Sequence, residues 1–232
     1  MSQKIPLLIR VDASENLGYG HLIRCIVLSE MMQANFLITF CCIELPSEIA
    51  QKIRDNGMQI AHLKADAEFF EMLREETYVL IDGYQFNSGY HRKISNQVKK
   101  LIAIDERHEI EHHADILINN NPSLKENDFS INQGGKVFTG VEYSILRQEF
   151  RDQSRKLLPL RSIPISRMNI FVSFGGTDPL NFSQQTLDVL FGMKQEHLNI
   201  TLMTKAQTNK AKSNRIGESA SFTNNTFILS KA

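Results

Sequence analysis

Short apolar runs alternate with amphipathic stretches along most of the chain. The first seven runs lie at 6–11, 36–41, 59–63, 78–82, 101–105, 116–119 and 136–139. Most of them are continuously apolar, which is typical of strands buried on both faces of a sheet. Helical periodicity fills the gaps, most clearly over 21–34, where Leu22, Ile26 and Met32 fall near one face. The pattern predicts an α/β fold with a parallel sheet covered by helices on both faces.

The pattern changes over 151–167 and then starts again. This segment is basic, contains two prolines and shows no clear period, so we interpret it as a linker. The next predicted elements are a strand at 168–174, a helix at 181–193, and strands at 199–204 and 226–229. They predict a second α/β domain, also with a parallel sheet, that is shorter than a complete domain of this type. The predicted organisation is a Rossmann-like domain over 1–150, a linker over 151–167 and a partial Rossmann-like domain over 168–232.

Composition narrows the class of partner. Among 232 residues, 26 Lys and Arg balance 26 Asp and Glu. The balanced charge argues against a generally basic surface for nucleic acid or anionic lipid. The N-terminus does not resemble a signal peptide, and no run approaches the roughly 20 apolar residues of a membrane span. The three cysteines, an odd number, are expected to be buried thiols, so we expect a cytoplasmic protein that binds neither nucleic acid nor membrane.

Aspartates stand at three of the predicted strand ends. Asp12 follows the first strand, while Asp82 and Asp105 end the fourth and fifth. The carboxyl ends of parallel strands are where sheets of this kind bind ligands. Each aspartate alone is more typical of turn chemistry than of a site, but the three together favour a site.

A glycine-containing loop joins the first strand to the first helix. Gly18 and Gly20 permit left-handed backbone angles and a close approach of a ligand to the main chain. Unpaired N–H groups at the start of the helix favour an anion such as phosphate. Ile23 occupies the third glycine position of a dinucleotide-binding fingerprint, which argues against ordinary dinucleotide binding.

His21 lies in the first turn of that helix. The helix dipole disfavours the charged imidazolium there, and a neutral imidazole can accept a proton from water. Asp12 lies across the same loop and is suited to orient the ring or the water. The alternative is that His21 only begins the helix. The neighbouring His112 and His113 point in different directions in most local structures, and we predict neither a metal nor another cofactor.

A second glycine loop follows the first strand of the second domain. Gly175, Gly176 and Thr177 offer backbone N–H groups and a hydroxyl to a phosphate. Two such loops, one in each domain, predict a ligand bound between the domains.

The loop motif resembles that of a known family. RVDASENLGYGHLIRC at 10–25 is similar to the signature R-x-D-x-S-x-x-x-G-x-G-H-x-x-R of the UDP-sugar hydrolases of the pseudaminic acid pathway, which are distant relatives of GT-B glycosyltransferases. The later matching segments are LIDGY at 80–84, IDE at 104–106, DILINNN at 115–121, GVEYSILRQEF at 140–150 and FVSFGGTD at 171–178. The resemblance extends to about residue 205 and then thins.

The resemblance implies a GT-B-like architecture of two Rossmann-like domains. It implies removal of UDP from UDP-2,4-diacetamido-2,4,6-trideoxy-β-L-altropyranose by attack of water at the anomeric carbon, with inversion. His21 would be the catalytic base, with Asp12 and Ser14 beside the sugar. Three other matching positions would bind the substrate: Arg10, Gly18 and Gly20. The sugar or the structural framework would involve Tyr84, Asn119, Tyr143 and Arg147, and the diphosphate would face Gly175, Gly176 and Thr177. For Tyr143 and Arg147, a packing or interdomain role stays open.

Two departures from the family keep other functions open. Glu106 stands where the family usually has a second aspartate, and the rest of the nucleotide-binding domain is expected to be missing after Ala232. The alternatives are a truncated, non-catalytic fragment that binds nucleotide sugars, and a GT-B glycosyltransferase with an acceptor other than water. We expect a monomer, with association possible through the open sheet edge of the incomplete domain.

Overall fold

In the computed structural model the chain divides into two compact units, 1–155 and 156–232. The structure describes residues 4–105, 110–157, 168–175, 178, 180–193, 198–203, 220–223 and 226–230. Each unit has its own sheet.

The first unit is built on a seven-stranded sheet. Its strands are β1 (Ile5–Arg10), β2 (Phe36–Cys42), β3 (Gln59–His62), β4 (Tyr78–Asp82), β5 (Lys100–Ile104), β6 (Ile116–Asn119) and β7 (Lys136–Thr139). They lie in the order β3-β2-β1-β4-β5-β6-β7, and every neighbouring pair is parallel. The chain therefore runs outward from β1 to β3 and returns to the other side of β1 with β4, as in a Rossmann-like sheet. The predicted parallel sheet is confirmed for this unit.

Helices connect the strands from β1 to β5, because parallel neighbours require a crossover. The helices of this unit are α1 (Gly20–Met32), α2 (Ser47–Asp55), α3 (Asp66–Met72) and α4 (Ser88–Ser95), with 3₁₀ turns at Glu126–Asp128 and Val141–Tyr143. A fifth helix, α5 (Gln148–Leu157), begins in this unit and ends two residues beyond its last residue. The sequence pattern did not predict α5, whose last seven residues fall in the segment interpreted as a linker. Glutamine, glutamate, arginine and lysine form helices readily even where no apolar stripe shows their period. The rest of that segment, 158–167, lies outside the described residues.

Both faces of this sheet are buried. On one face Ile9 of β1 packs in the same apolar cluster as Leu22 of α1. On the other face Leu8 packs in a second cluster, together with Phe69 of α3 and Ile94 of α4. Alternate residues of β1 thus enter opposite clusters, as the pleat of a strand requires. Each fully buried apolar side chain of this size contributes about 1.5–3 kcal/mol, so the sheet is a rigid base for the loops at its edge.

The second unit corrects the prediction of a second parallel sheet. Its described elements are β8 (Met168–Ser173), α6 (Phe182–Gly192), β9 (Leu198–Met203), β10 (Ala220–Thr223) and β11 (Thr226–Ser230). β8 and β9 are parallel, but β11 is antiparallel to both β9 and β10. Two residues join β10 to β11, which is a connection for antiparallel strands and is too short for a parallel crossover. The apolar run at 226–229 indicated a strand without indicating its direction.

The cysteines agree with the sequence interpretation. Cys25, Cys41 and Cys42 are all free and buried. Burial raises the pKa of the Cys41 thiol to about 12, although Arg10 opposes this shift. Such thiols are protonated and unreactive at neutral pH. In the part of the chain that the structure describes, no helix is long and apolar enough to span a bilayer.

Candidate functional site

The site lies where the order of the sheet reverses direction. β1 has β2 on one side and β4 on the other. The loops that follow the carboxyl ends of β1 and β4 therefore diverge and leave a crevice between them. The loop after β1 leads into α1 and places His21 as the second residue of that helix. Asp82 is the last residue of β4. Two segments 61 residues apart in sequence therefore meet at one edge of the sheet.

A cavity opens at this edge, with a volume of about 380 Å³. That size is within the usual range for small-molecule sites. Its lining residues are Leu17, Gly20, His21, Arg24, Tyr84, Ile104, Ile118, Asn120, Tyr143 and Ile145. The structure therefore brings together four of the residues singled out from the sequence: Gly20, His21, Tyr84 and Tyr143.

The His21 ring is fixed by a buried carboxylate. Its Nδ1 atom lies 2.8 Å from Oδ1 of Asp82, whose side chain is fully buried, while the His21 side chain is 11% exposed. Arg24, one turn further along α1, places Nε 2.5 Å from Oδ2 and Nη2 2.5 Å from Oδ1 of the same carboxylate. This is a two-point guanidinium–carboxylate pair, a strong and directional arrangement.

A thiol completes the surroundings of Asp82. The Sγ atom of Cys25 lies 3.6 Å from Oδ2 and donates to it. Burial and then the neighbouring Asp82 raise the pKa of the Cys25 thiol well above its usual range. The thiol therefore keeps its proton and remains a donor.

Tyr84 forms one wall of the cavity. Its ring meets the His21 ring edge to face, with centroids 4.5 Å apart and an interplanar angle of 87°. Tyr84 is half exposed, so the contact restrains the imidazole and leaves much of the tyrosine accessible. Gly83, just before it, has φ +151°, and a Cβ atom there would lie 2.5 Å from Oε1 of Gln85 and 2.9 Å from the Phe86 ring. Glycine is required at this turn to deliver Tyr84 to the cavity.

Asp12 has partners other than His21. Its Oδ2 lies 2.7 Å from Nη1 of Arg10, and its Oδ1 accepts from the backbone N–H groups of Ile43 and Glu44 at 2.6 and 3.1 Å. The carboxylate bonded to the imidazole is Asp82, not the aspartate of the same loop. Asp12 thus ties the end of β1 to the segment that follows β2.

Arg10, for which the resemblance implied a substrate contact, is a buried residue of the first unit. It is 1% exposed. Besides Asp12, its guanidinium contacts Oδ1 of Asp66 at 3.0 Å and the carbonyl of Cys41 at 3.3 Å, and it lies 5.0 Å from the centre of the Phe86 ring. Burial alone would lower the pKa of Arg10, but the adjacent carboxylate of Asp12, followed by Tyr90 and Asp66, raises it. The described contacts hold Arg10 within the fold.

Ser14 and Gly18 shape the loop before α1. The Gly18 N–H donates to the Ser14 carbonyl at 2.9 Å, and the Leu17 N–H donates to the Ser14 hydroxyl oxygen at 3.3 Å. Gly18 has φ +80° and so adopts the left-handed conformation that glycine permits. Gly20 is not among the residues with positive φ: it begins α1 and does not use the left-handed freedom that glycine permits.

Of the remaining predicted contacts in the first unit, some line the cavity and others do not. Asn119 is buried at the end of β6, and its Oδ1 accepts from the N–H of Asn121 at 2.7 Å. The next residue, Asn120, lines the cavity instead. Arg147 is not a lining residue: it lies 3.8 Å from Glu149 and over the Phe150 ring. Of the two residues whose role stayed open, the structure thus brings Tyr143 to the cavity and leaves Arg147 at the start of α5.

In the second unit, Gly175 follows β8 and has φ +76°. Gly176 and Thr177 lie outside the described residues. Asp178 accepts from the N–H groups of Phe182 and Ser183 at 2.9 Å each and so caps the start of α6. This explains the aspartate of the second glycine loop without a ligand.

The sequence analysis did not single out six of the lining residues: Leu17, Arg24, Ile104, Ile118, Asn120 and Ile145. Arg24 had a signal, because it is the last residue of the loop signature and follows His21 at the i+3 spacing that places both side chains on one face of a helix. Asn120 lies in the matching segment DILINNN. Among the described residues, no group of three or more His, Cys, Asp or Glu side chains is arranged to hold a metal ion.

Comparisons with known proteins find distant relatives of this chain. No protein-family model matches the chain. It is 26% identical over 213 residues to the "uncharacterized protein MJ1062" of Methanocaldococcus jannaschii, a match that covers 88% of this chain and 43% of the relative. It is also 26% identical over 189 residues to the UDP-2,4-diacetamido-2,4,6-trideoxy-beta-L-altropyranose hydrolase of Campylobacter jejuni, covering 78% of this chain and 64% of that enzyme. The chain thus spans less than two thirds of the length of either relative, and it is distantly related to a UDP-sugar hydrolase.

Proposed function

We propose that this chain is the catalytic part of a nucleotide-sugar hydrolase that releases UDP from a UDP-sugar. The observation that carries the proposal is the position of His21. It lines a cavity of about 380 Å³ at the reversal point of a Rossmann-like sheet, in a chain distantly related to a UDP-sugar hydrolase. A histidine held at a ligand crevice is a suitable general base.

In the proposed reaction His21 accepts a proton from a water molecule. The water oxygen forms a bond to the anomeric carbon of the sugar, and the bond from that carbon to the diphosphate oxygen breaks. The bonding electrons leave with UDP, and the sugar keeps the new hydroxyl group. Because one displacement occurs on the face opposite the leaving group, the anomeric configuration inverts.

The start of α1 is suited to the departing diphosphate. No side chain caps it: Tyr19 precedes the helix, and Gly20 opens it without a Cβ atom. Backbone N–H groups at a helix start, together with the positive end of the helix dipole, stabilise negative charge. Since Gly20 also lines the cavity, these groups lie next to His21.

The finer assignment follows the resemblance described above. We propose the diacetamido-trideoxy sugar of the pseudaminic acid pathway as the sugar, and a GT-B-like plan with a catalytic domain over 1–150 and a nucleotide-binding domain over 168–232. Asn120 and Tyr143 supply polar groups for the sugar. Ile104, Ile118 and Ile145 supply apolar surface, which suits a sugar with deoxy and acetamido groups.

The test measures UDP release by the protein that contains this chain, with the UDP-sugar and no acceptor. We expect turnover without acceptor, which a glycosyltransferase would not give. His21→Ala should lower kcat about 10²–10⁴-fold, the usual contribution of a general base. His62→Ala, at the end of β3 and outside the cavity lining, is the matched control and should keep wild-type kcat. Full turnover by His21→Ala would remove the proposed base.

A further inference from the structure

We propose that Asp82 and Arg24 are positioning residues of this site: Asp82 holds His21 in the Nδ1–H tautomer, and Arg24 fixes Asp82 in the orientation that does so. The inference rests on the proposed role of His21 as a base. It adds two residues to that role: Asp82 acts through the imidazole, and Arg24, which also lines the cavity, acts through Asp82.

Asp82 stands at the end of an interior strand of the sheet. β4 is bonded to β1 on one side and to β5 on the other, and the Asp82 side chain is fully buried at its end. Its Oδ1 is 2.8 Å from Nδ1 of His21. A strand paired on both sides holds a carboxylate more precisely than a loop does, which is the requirement for orienting a catalytic ring.

Arg24 prevents the carboxylate from rotating. Its Nε and Nη2 atoms bind one Asp82 oxygen each, both at 2.5 Å. The Cys25 thiol adds a third donor at 3.6 Å. His21, Arg24 and Cys25 occupy positions i, i+3 and i+4 of α1, so one face of a single helix supplies all the contacts to Asp82 described here.

The contacts select one tautomer. A carboxylate paired with a guanidinium only accepts hydrogen bonds, so the short Nδ1 contact with Asp82 requires a proton on Nδ1. Arg24 also places Nη2 2.9 Å from the same Nδ1, but it only donates and cannot bond a nitrogen that already carries a proton. With Nδ1 protonated, the neutral ring keeps its lone pair on Nε2, which is the atom that can take a proton from water.

The neighbouring aspartates provide contrasts within the same protein. Asp12 is committed to Arg10 and to backbone N–H groups. Asp105, at the end of β5, lies 3.1 Å from Nε2 of His112, the opposite ring nitrogen. The same reasoning therefore predicts the Nε2–H tautomer for His112. A single NMR spectrum can then show the opposite tautomers of His21 and His112.

The first experiment needs no substitution and no substrate. Long-range ¹H–¹⁵N correlation spectra of the uniformly labelled protein distinguish a protonated from a bare ring nitrogen. We expect His21 as the Nδ1–H tautomer and His112 as the Nε2–H tautomer. Finding His21 with its proton on Nε2 would overturn the inference. Because no turnover is involved, this result stands apart from the success or failure of the proposed hydrolysis.

The second experiment separates positioning from folding. Asp82→Asn should reduce the population of the Nδ1–H tautomer and lower kcat about 10²–10⁴-fold, since a misoriented or wrong tautomer is costly, with KM changed less than about threefold. Arg24→Lys keeps the charge but cannot contact both Asp82 oxygens as the planar guanidinium does, so kcat should fall roughly tenfold or more. The matched control is Asp115→Asn, whose carboxylate pairs with Lys100 at the amino end of the sheet and should leave kcat and tautomer unchanged.

Each result bears on the inference. Wild-type kcat in a folded Asp82→Asn variant would overturn it, and so would a rise in KM with kcat unchanged, which would indicate a substrate contact. If Asp82→Asn does not fold, the wild-type spectrum and Arg24→Lys still decide. If hydrolysis is absent in the wild type as well, the proposed function fails, while the change of tautomer in Asp82→Asn continues to test the positioning.

Discussion

Replacing Arg10 by methionine tests whether this arginine of the loop signature serves the fold or the substrate. Its guanidinium is 1% exposed and contacts Asp12, Asp66, the Cys41 carbonyl and the Phe86 ring. Methionine has similar length and no charge, so Arg10→Met removes the contacts and leaves little empty volume. The main consequence is a buried carboxylate, Asp12, without its cation.

The loss in free energy of unfolding depends on the hydrogen bonds and the hydration that Asp12 and Asp66 retain without Arg10. Breaking a buried ion pair by removing one member costs about 3–5 kcal/mol. Asp12 retains the N–H groups of Ile43 and Glu44, and Asp66 has a side chain 47% exposed that returns to water. The lower end, about 3 kcal/mol, is therefore expected. For a unit of this size that corresponds to a Tm lower by roughly 6–12 °C.

Circular dichroism is the suitable assay because the chain contains no tryptophan. The urea midpoint of Arg10→Met should fall with an unchanged slope, while Asp66→Asn should cost less than about 1 kcal/mol. Adding Asp12→Asn to Arg10→Met should recover part of the loss, since it removes the unpaired charge. At a temperature where Arg10→Met is folded, its KM for the UDP-sugar should equal that of the wild type. Wild-type stability together with a raised KM would refute the reasoning and return Arg10 to the substrate site.

Two further predictions concern stability. Burial first, and then the neighbouring His112 and His113, lower the pKa of His91 from 6.5 to about 4. The unfolded chain therefore takes up this proton at a higher pH than the folded chain does. Stability present above about pH 6.5 is lost progressively as the pH falls towards about 4, by at most roughly 3 kcal/mol. Urea midpoints on either side of this interval should differ less in His91→Gln than in the wild type, and equal differences would contradict the assignment. In the loop before α1, Gly18→Ala should lower Tm because φ +80° costs a side chain about 1–2 kcal/mol. Gly20→Ala should raise or preserve Tm, because Gly20 is helical and a Cβ there meets no atom within 4 Å. Melts in which both variants shift in the same direction would show that the loop conformation is different.

The sheet of the first unit was predictable because its two sequence signals, apolar strands and amphipathic connecting helices, are both local. Strands buried on both faces are apolar at every position, and Ile9 and Leu8 satisfy this on opposite faces of β1. The connecting helices carry an apolar stripe, as α1 does. α5 was missed because it contains only two apolar residues, Phe150 and Leu157, which are too few to show a helical period in the sequence.

Strand direction in the second unit was not predictable in the same way. The run at 226–229 is apolar whether its neighbour is parallel or antiparallel. The length of the connection decides between them, and this could be judged only once the strand at Ala220–Thr223 was known. That strand is polar at two of its four positions and gives no apolar run.

The candidate site was also predictable only where the information is local. The position of His21 in the first turn of a helix after a glycine loop is local, and the sequence indicated it. The partner of His21 is not local. Asp12 is nine residues away and Asp82 is 61 residues away, so proximity in sequence favours the wrong carboxylate. Only the order β1-β4 in the sheet brings Asp82 to the ring. In a Rossmann-like sheet this adjacency is a consequence of the reversal after β3, so the end of β4 always faces the loop after β1. A strand-end carboxylate on β4 is therefore a better candidate partner for a residue of the first loop than a carboxylate within that loop. For this chain the buried Arg24–Asp82–His21 contacts follow from that adjacency.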